Sequence, residues 1–325
     1  MLQNRIEYAR EALGEFGQVV VFFPSNIEQV AGLEPSNVTI VCRLKPMFDL
    51  LTAAGYRCVV AAEGVFDTAF VCATRSKELN RNAVASAAAV VKSGHIILDG
   101  QKTDGIESLI KDVKKLGQTV DVYSKAHGKL AIMSASEQLT EFATPALRDI
   151  GDGFVTTAGV FSADGIDIAS AMLAPHIQNL SGTVVDLGAG WGYLSRAVLQ
   201  SINATTVHLV EADHAAVECA RINVEDPRAV FEWADATTWR GISNADYVVM
   251  NPPFHTSRAA DPGLGQAFIE TASRILHPKG SLILVANRQL PYEDTLSRHF
   301  SRVEQVELDK GFKILVARSI KKRAI

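Results

Sequence analysis

A chain of 325 residues with 47% hydrophobic and 21% charged residues has the make-up of a folded globular protein, and at roughly 100–200 residues per domain it is long enough for two. The composition excludes a disordered chain, the net charge of −4 lacks the strongly basic footprint of a free-standing nucleic-acid binder, and no run approaches the roughly 18 apolar residues of a membrane helix. Cys42, Cys58, Cys72 and Cys219 form no Cys-x-x-Cys pair and have no histidine at ligand spacing, so no metal site and no disulfide frame are expected.

Met1 to Phe16 mixes Arg5, Glu7, Arg10, Glu11 and Glu15 with apolar positions, unlike a signal peptide, and a cytoplasmic protein is expected. Short apolar or β-branched runs follow at 19–23, 38–42, 58–61, 69–73, 95–99, 119–124 and 129–133. Helix-length stretches separate them, which predicts a mostly parallel, twisted α/β sheet with covering helices. Between Arg75 and Lys129 there are ten Lys or Arg against six Asp or Glu. That surplus fits either a basic face or the solvated side of a lysine-rich helix around Lys111, Lys114 and Lys115. Ile96 to Asp99 leads into Gly100–Gly105, read as an ordinary turn without the spaced glycines of a cofactor loop.

The polar interval Ser134 to Gly153, with Pro145 and Gly151-Asp152-Gly153, reads as the connection between domains. The expected division is 1–136 and 137–325. Beyond it the alternation restarts, with strands at 183–187, 207–211, 230–233, 246–251, 281–286, 303–309 and 312–318. Helices are expected at 167–177, 193–201, 215–223 and 266–275. The last two strands flank Lys310-Gly311 and form an antiparallel hairpin, an ending that suits methyltransferases better than dehydrogenases.

The chemistry concentrates at the strand ends of this second half. Val184-Val185-Asp186-Leu187-Gly188-Ala189-Gly190-Trp191-Gly192 is a strand entering a glycine turn, where Gly188 and Gly190 let the backbone bend sharply and approach a ligand. The spacing is Gly-x-Gly-x-Gly; a dinucleotide fingerprint would need glycine where Tyr193 stands. The next strand ends in Glu211, placed to accept hydrogen bonds from ribose hydroxyls, and the third leads to Asp235, placed to accept one from an adenine amino group. Three acids at three successive strand ends beside a glycine turn predict an S-adenosylmethionine pocket.

Asp246 to Met250 then runs into Asn251-Pro252-Pro253-Phe254-His255. Adjacent prolines stiffen the loop. An exocyclic amine is a poor nucleophile because its lone pair is delocalised. If the Asn251 side-chain oxygen and the Pro252 carbonyl accept its two hydrogens, the nitrogen pyramidalises and aims at the sulfonium methyl. Phe254 supplies a flat surface for a flipped-out base; Asn251 also borders the cofactor, and His255 reads as a solvated loop residue.

Four segments together, Gly159 to Asp167, Asp186 to Gly190, Asn251 to His255 and Val285 to Tyr292, resemble the bacterial ribosomal RNA small-subunit methyltransferase C family, guanine-N2 methyltransferases, and the related large-subunit enzymes. The resemblance covers most of 159–318. It implies two tandem Rossmann-like methyltransferase domains, the first a degenerate copy that helps hold RNA; Phe22-Phe23-Pro24, Lys77 with its alanine-rich continuation, and Gly100 to Gly105 are similar to that domain. It implies S-adenosylmethionine as methyl donor, S-adenosylhomocysteine as product, ribosomal RNA or the small subunit as partner, and a monomer. It implies further that Phe161 and Asp164 close over the methionine end of the cofactor or the target base. The family often has cysteine where this chain has Ala189, and Trp191 is bulky, so a different pocket shape is expected. Two other readings stand beside it: a methyltransferase of protein glutamine amides, which usually carries tyrosine at the Phe254 position, and a non-catalytic RNA-binding assembly factor.

Overall fold

The computed structural model describes residues 3–125, 127–253 and 262–321. The chain divides into two compact units, Met1–Ala146 and Leu147–Ile325. The first contains β1 (Val19–Phe22), β2 (Val38–Val41), β3 (Arg57–Val59), β4 (Phe66–Cys72), β5 (Val91–Gln101), β6 (Asp121–Lys125) and β7 (Gly128–Ser134). They form one sheet in the order β3-β2-β1-β4-β5-β7-β6, parallel except that β7 runs against both neighbours. The sequence anticipates every one of these strands. It places the end of β5 too early, however, because Gly100 and Gln101 continue the ladder opposite Lys129 and Gly128. The antiparallel partner that satisfies their backbone groups lies nearly thirty residues downstream.

The expected division after residue 136 moves to 146/147, and packing explains the shift. Leu139, in the short 3₁₀ stretch Glu137–Phe142, is fully buried in the first unit's core with Ala83 and Ala87 of the helix Lys77–Val90. Asn82 on that helix also grips Thr144, donating to its hydroxyl at 2.6 Å and accepting from its backbone N–H at 2.7 Å. Of the basic surplus, Lys77 and Arg81 pair with Asp112, and Lys129 with Glu107. Lys111, Lys114 and Lys115 stay exposed on the helix Ile106–Lys115.

The second unit opens with a two-stranded ribbon, β8 (Arg148–Asp149) and β9 (Val155–Thr156). Its main sheet comprises β10 (Gly182–Leu187), β11 (Ala204–Glu211), β12 (Ala229–Trp233), β13 (Ala245–Met250), β14 (Leu276–Asn287), β15 (Phe300–Asp309) and β16 (Phe312–Ile320). The order is β12-β11-β10-β13-β14-β16-β15, the same pattern as in the first unit. The terminal hairpin β15–β16 is antiparallel as expected.

Alternation along the strands divides the core. Val185, Leu187, Val248 and Met250 face one helical layer, while Val184, Val207 and Val249 face the other, as side chains of successive residues point to opposite faces. In the first layer the helices Pro262–Ile275 and Tyr292–His299 approach so closely that a Cβ on Gly265 would lie 2.0 Å from the Tyr292 hydroxyl oxygen. Tyr292 is fully buried and cannot swing away. Gly265→Ala is therefore expected to destabilise the protein by about 1–3 kcal/mol through overpacking, despite alanine's better helix propensity, measured as a lower urea midpoint; an unchanged midpoint would show that the contact relaxes at no cost.

No helix among the described residues is long and apolar enough to cross a membrane.

Candidate active site

Strand register brings the predicted residues to one edge. Asp186 pairs with Leu209 of β11 and Val249 of β13, and Glu211 pairs with Trp233 of β12. The carboxyl ends of four parallel strands therefore lie side by side. After β10 the chain builds outward to β12 and then returns to β13 on the other flank. At such a switch point neighbouring loops diverge and leave a crevice. Here the cleft is lined by Phe161, Asp167, Ser170, Gly188, Gly190 and Asn251, among others. A wider groove bordered by Arg240, Arg274 and Lys321 lies at the other end of the strands and contains none of the predicted site residues.

The floor of the cleft is the glycine turn. Gly188 and Gly190 have φ of 76° and 55°, the left-handed region that glycine enters without a Cβ penalty. The Gly190 N–H donates to Glu211 Oε2 at 2.8 Å, and the Asp213 N–H donates to Oε1 at 2.7 Å. Glu211 thus ties its own strand end to the turn. Asp213 serves instead as the N-cap of the helix His214–Asn223, accepting from the Ala215 N–H. Asp235 Oδ1 accepts from both the N–H and the hydroxyl of Thr237, which fixes its carboxylate at the end of β12.

Asp186 is fully buried. Its Oδ2 accepts from the Ser195 hydroxyl at 2.7 Å, while Oδ1 has no hydrogen-bond partner among the described residues. Burial pushes its pKa up to about 7, the Ser195 hydrogen bond opposes the rise, and the Glu211 charge adds to it. Burial likewise raises Glu211, against the pull of the Asp213 and Gly190 N–H groups. A carboxyl whose pKa is higher folded than unfolded holds more protons in the native state between the two values. Stability contributed in this way is complete below the unfolded pKa and is lost as pH rises towards 7. The ligand-free protein is thus expected to lose stability between about pH 4 and 7, Asp186 contributing up to about 4 kcal/mol of that change. Thermal melts across this range, beside Asp186→Asn with its smaller slope, measure it; identical slopes would place the titration elsewhere.

Asn251 follows β13 directly. Its side-chain Nδ2 donates to Asp167 Oδ2 and to Ser170 Oγ, each at 2.9 Å. The adjoining Pro252 is buried and Pro253 exposed. Phe254 and His255 lie outside the described residues.

Comparison with known proteins gives this geometry a family. Residues 152–316 match the family model described as methyltransferase small domain. A ribosomal RNA small subunit methyltransferase C of Pseudomonas aeruginosa is 30% identical over 271 residues, 79% of this chain and 81% of the relative. Its counterpart from Stutzerimonas stutzeri is 29% identical over 80% of this chain and 82% of its own. The chain belongs to the ribosomal RNA small subunit methyltransferase C family. It is accordingly a methyltransferase. The T. thermophilus 16S rRNA N2 G1207 methyltransferase, solved with AdoMet and guanosine, matches with a TM-score of 0.81 at 24% identity, covering 98% of this chain and 91% of that one. That likeness establishes the fold, two seven-stranded α/β sheets, the second ending in the hairpin.

Within this methyltransferase C chain, the residues singled out upstream of the glycine turn separate. Phe161 is 59% exposed at the cleft, and its carbonyl accepts from the Trp191 indole N–H at 3.0 Å. Asp164 stands away from the cleft, its carboxylate exposed and paired with Arg148. Trp191, singled out only for bulk, is buried against Phe154 at 5.1 Å between ring centroids. It fastens the Phe161 loop to the glycine turn. Asn223 went unnoticed in the sequence: its Nδ2 donates to the carbonyls of Val155 and Trp191, and its Oδ1 accepts from the Val155 N–H. Asp167 and Ser170 also went unnoticed as partners of Asn251. A Ser, Thr, Asp or Asn before an apolar run signals a helix cap, and Asp167 is one; nothing local signals its second bond.

Proposed function

We propose that this methyltransferase transfers the methyl group of S-adenosylmethionine to the exocyclic N2 amino group of a guanine in 16S-type ribosomal RNA. The observation that carries the reading is Asn251, whose amide nitrogen is held at the end of β13 while its side-chain oxygen accepts no hydrogen bond from any described residue. The names of the relatives and the guanosine bound to the T. thermophilus enzyme support the substrate.

The cleft suits the donor. The orphaned Asp186 Oδ1 awaits a polar partner, Gly190 leaves open space where a Cβ would project, and each Glu211 oxygen, with one N–H already bound, has a lone pair left for a ribose hydroxyl. Asp235 Oδ2 is left for the adenine amino group and Phe161 for the methionine end. When bound, the donor supplies an electrophilic sulfonium methyl.

The Asn251 side-chain oxygen and the Pro252 carbonyl accept the two hydrogens of the guanine amine, so that its lone pair leaves conjugation with the ring. So oriented, the amine nitrogen would face the donor's methyl group, and the N–H proton it gives up would pass to water. Phe254 provides the stacking face. The chain's contribution is orientation and fixed dipoles, with no covalent enzyme intermediate.

The first unit takes the RNA-holding part, supported by the exposed Lys111, Lys114 and Lys115. A monomer acting in the cytoplasm on the small subunit or its RNA completes the reading, in keeping with the relatives' names. Incubating the enzyme with small-subunit particles and labelled donor, then mapping the modified nucleotide, tests it. A methylated guanine amino group is expected; label on a protein glutamine or on no RNA would overturn it.

A further inference from the structure

The helix Ile168–Leu173 opens with a conventional cap: Asp167 Oδ2 accepts from the Ser170 N–H at 2.8 Å. The same oxygen also accepts from Asn251 Nδ2 at 2.9 Å, and Ser170 Oγ accepts from that nitrogen at 2.9 Å. Both amide hydrogens of Asn251 are thereby consumed by residues 84 and 81 positions away in the chain. The reversed amide would set its carbonyl oxygen against a carboxylate oxygen, acceptor facing acceptor. Chemistry therefore fixes which end of the carboxamide points where.

We propose that Asp167 and Ser170 are positioning residues for methyl transfer, holding the Asn251 carboxamide so that its oxygen faces the amine, with the Asp167 charge strengthening that oxygen as an acceptor. This rests on the reading that Asn251 receives an amine hydrogen. Two physical terms support it. The terminal torsion of an asparagine side chain is broad, so an untethered carboxamide would offer its oxygen to the amine only part of the time. Tethering removes that cost before the reaction begins. Second, an amide that donates to a carboxylate is polarised along its own dipole, which increases the negative charge on its oxygen. The amine gains positive charge as the N–C bond forms, so this polarisation acts more strongly in the transition state than in the ground state. Both residues act on the amine through Asn251, and the cap alone would account for only one of the three hydrogen bonds.

Three variants separate positioning from capping and from donor binding. Asp167→Ser keeps a good N-cap, but its shorter side chain does not reach Asn251. Asp167→Asn can place a carbonyl oxygen where Oδ2 lies, keeping both hydrogen bonds and losing the charge. Ser170→Ala removes one tether and leaves the cap intact. The readouts are kcat and KM on small-subunit RNA at saturating donor, donor affinity by calorimetry, and the melting temperature. For Asp167→Ser, kcat is expected to fall on the order of 10- to 100-fold with donor affinity within about threefold of native. Asp167→Asn should recover most of that loss, and Ser170→Ala should lower kcat by about three- to tenfold.

A loss of donor affinity beyond about tenfold in Asp167→Ser with kcat retained would overturn the proposal, because Asp167 would then be a donor ligand. Unchanged kcat in Ser170→Ala would overturn it even if Asp167→Ser folds poorly. The native enzyme on the same RNA decides the guanine reading itself, so a failure confined to the variants falls on the positioning claim alone.

Discussion

Asn251→Ala should lower kcat by about 10²- to 10³-fold while donor affinity changes only a few-fold, the magnitude typical of deleting one preorganised dipole aimed at developing charge. Asn251 borders the donor cleft, but its amide nitrogen already binds Asp167 and Ser170, so the truncation removes chiefly what its oxygen does. Single-turnover kinetics at saturating donor measure the chemical step without product release. The fold should tolerate the change, because Asn251 is only partly buried and water can reach the two acceptors it leaves. A fall in kcat/KM carried wholly by KM would assign Asn251 to substrate binding and remove it from the chemistry.

Glu211→Ala should raise the donor dissociation constant by about 10²-fold or more, since hydrogen bonds to a charged group are worth roughly 1.5–3 kcal/mol each and two ribose hydroxyls are lost. The effect has a second source. Glu211 Oε2 and Oε1 hold the N–H groups of Gly190 and Asp213, so the truncation also loosens the glycine turn and the entry to the helix His214–Asn223. Glu211→Gln keeps one acceptor oxygen and should fall between the two. Calorimetric titration with donor or with S-adenosylhomocysteine reads the difference; equal affinities for native and alanine forms would show that Glu211 only braces the turn.

The features legible in the sequence are those whose physics is local. The turn at Gly188 and Gly190 is written in adjacent residues, and so is the strand that ends at Glu211. The double proline after Asn251 identifies a stiff loop without any knowledge of its surroundings. What the sequence hides depends on distant contacts. The sequence starts a helix at Asp167, whose cap bond to Ser170 spans three residues, whereas its bond to Asn251 spans 84. Asp164, three positions earlier, carries the same side chain, yet its carboxylate pairs with Arg148 outside the cleft. Composition cannot tell the two apart; the direction in which the chain enters the helix does. The division at 146/147 falls inside the polar interval 134–153, but its exact place is hidden for a similar reason, since the polarity of 137–146 conceals one buried residue, Leu139, that commits the segment to the first core.

The shared strand order of the two sheets lets the first serve as a control for the second. Register places Leu187 opposite Val210 in the second sheet and Phe22 opposite Val41 in the first. Counting from those pairs, Val21, Cys42 and Cys72 occupy the places of Asp186, Glu211 and Asn251. All three are buried in one apolar cluster, and the first sheet keeps its seven strands without them. An architecture that forms without the three polar groups does not need them for its own sake, and burying Asp186 with an unpartnered oxygen works against stability. The orphaned Asp186 oxygen at this one set of strand ends is therefore an expense that only a ligand returns.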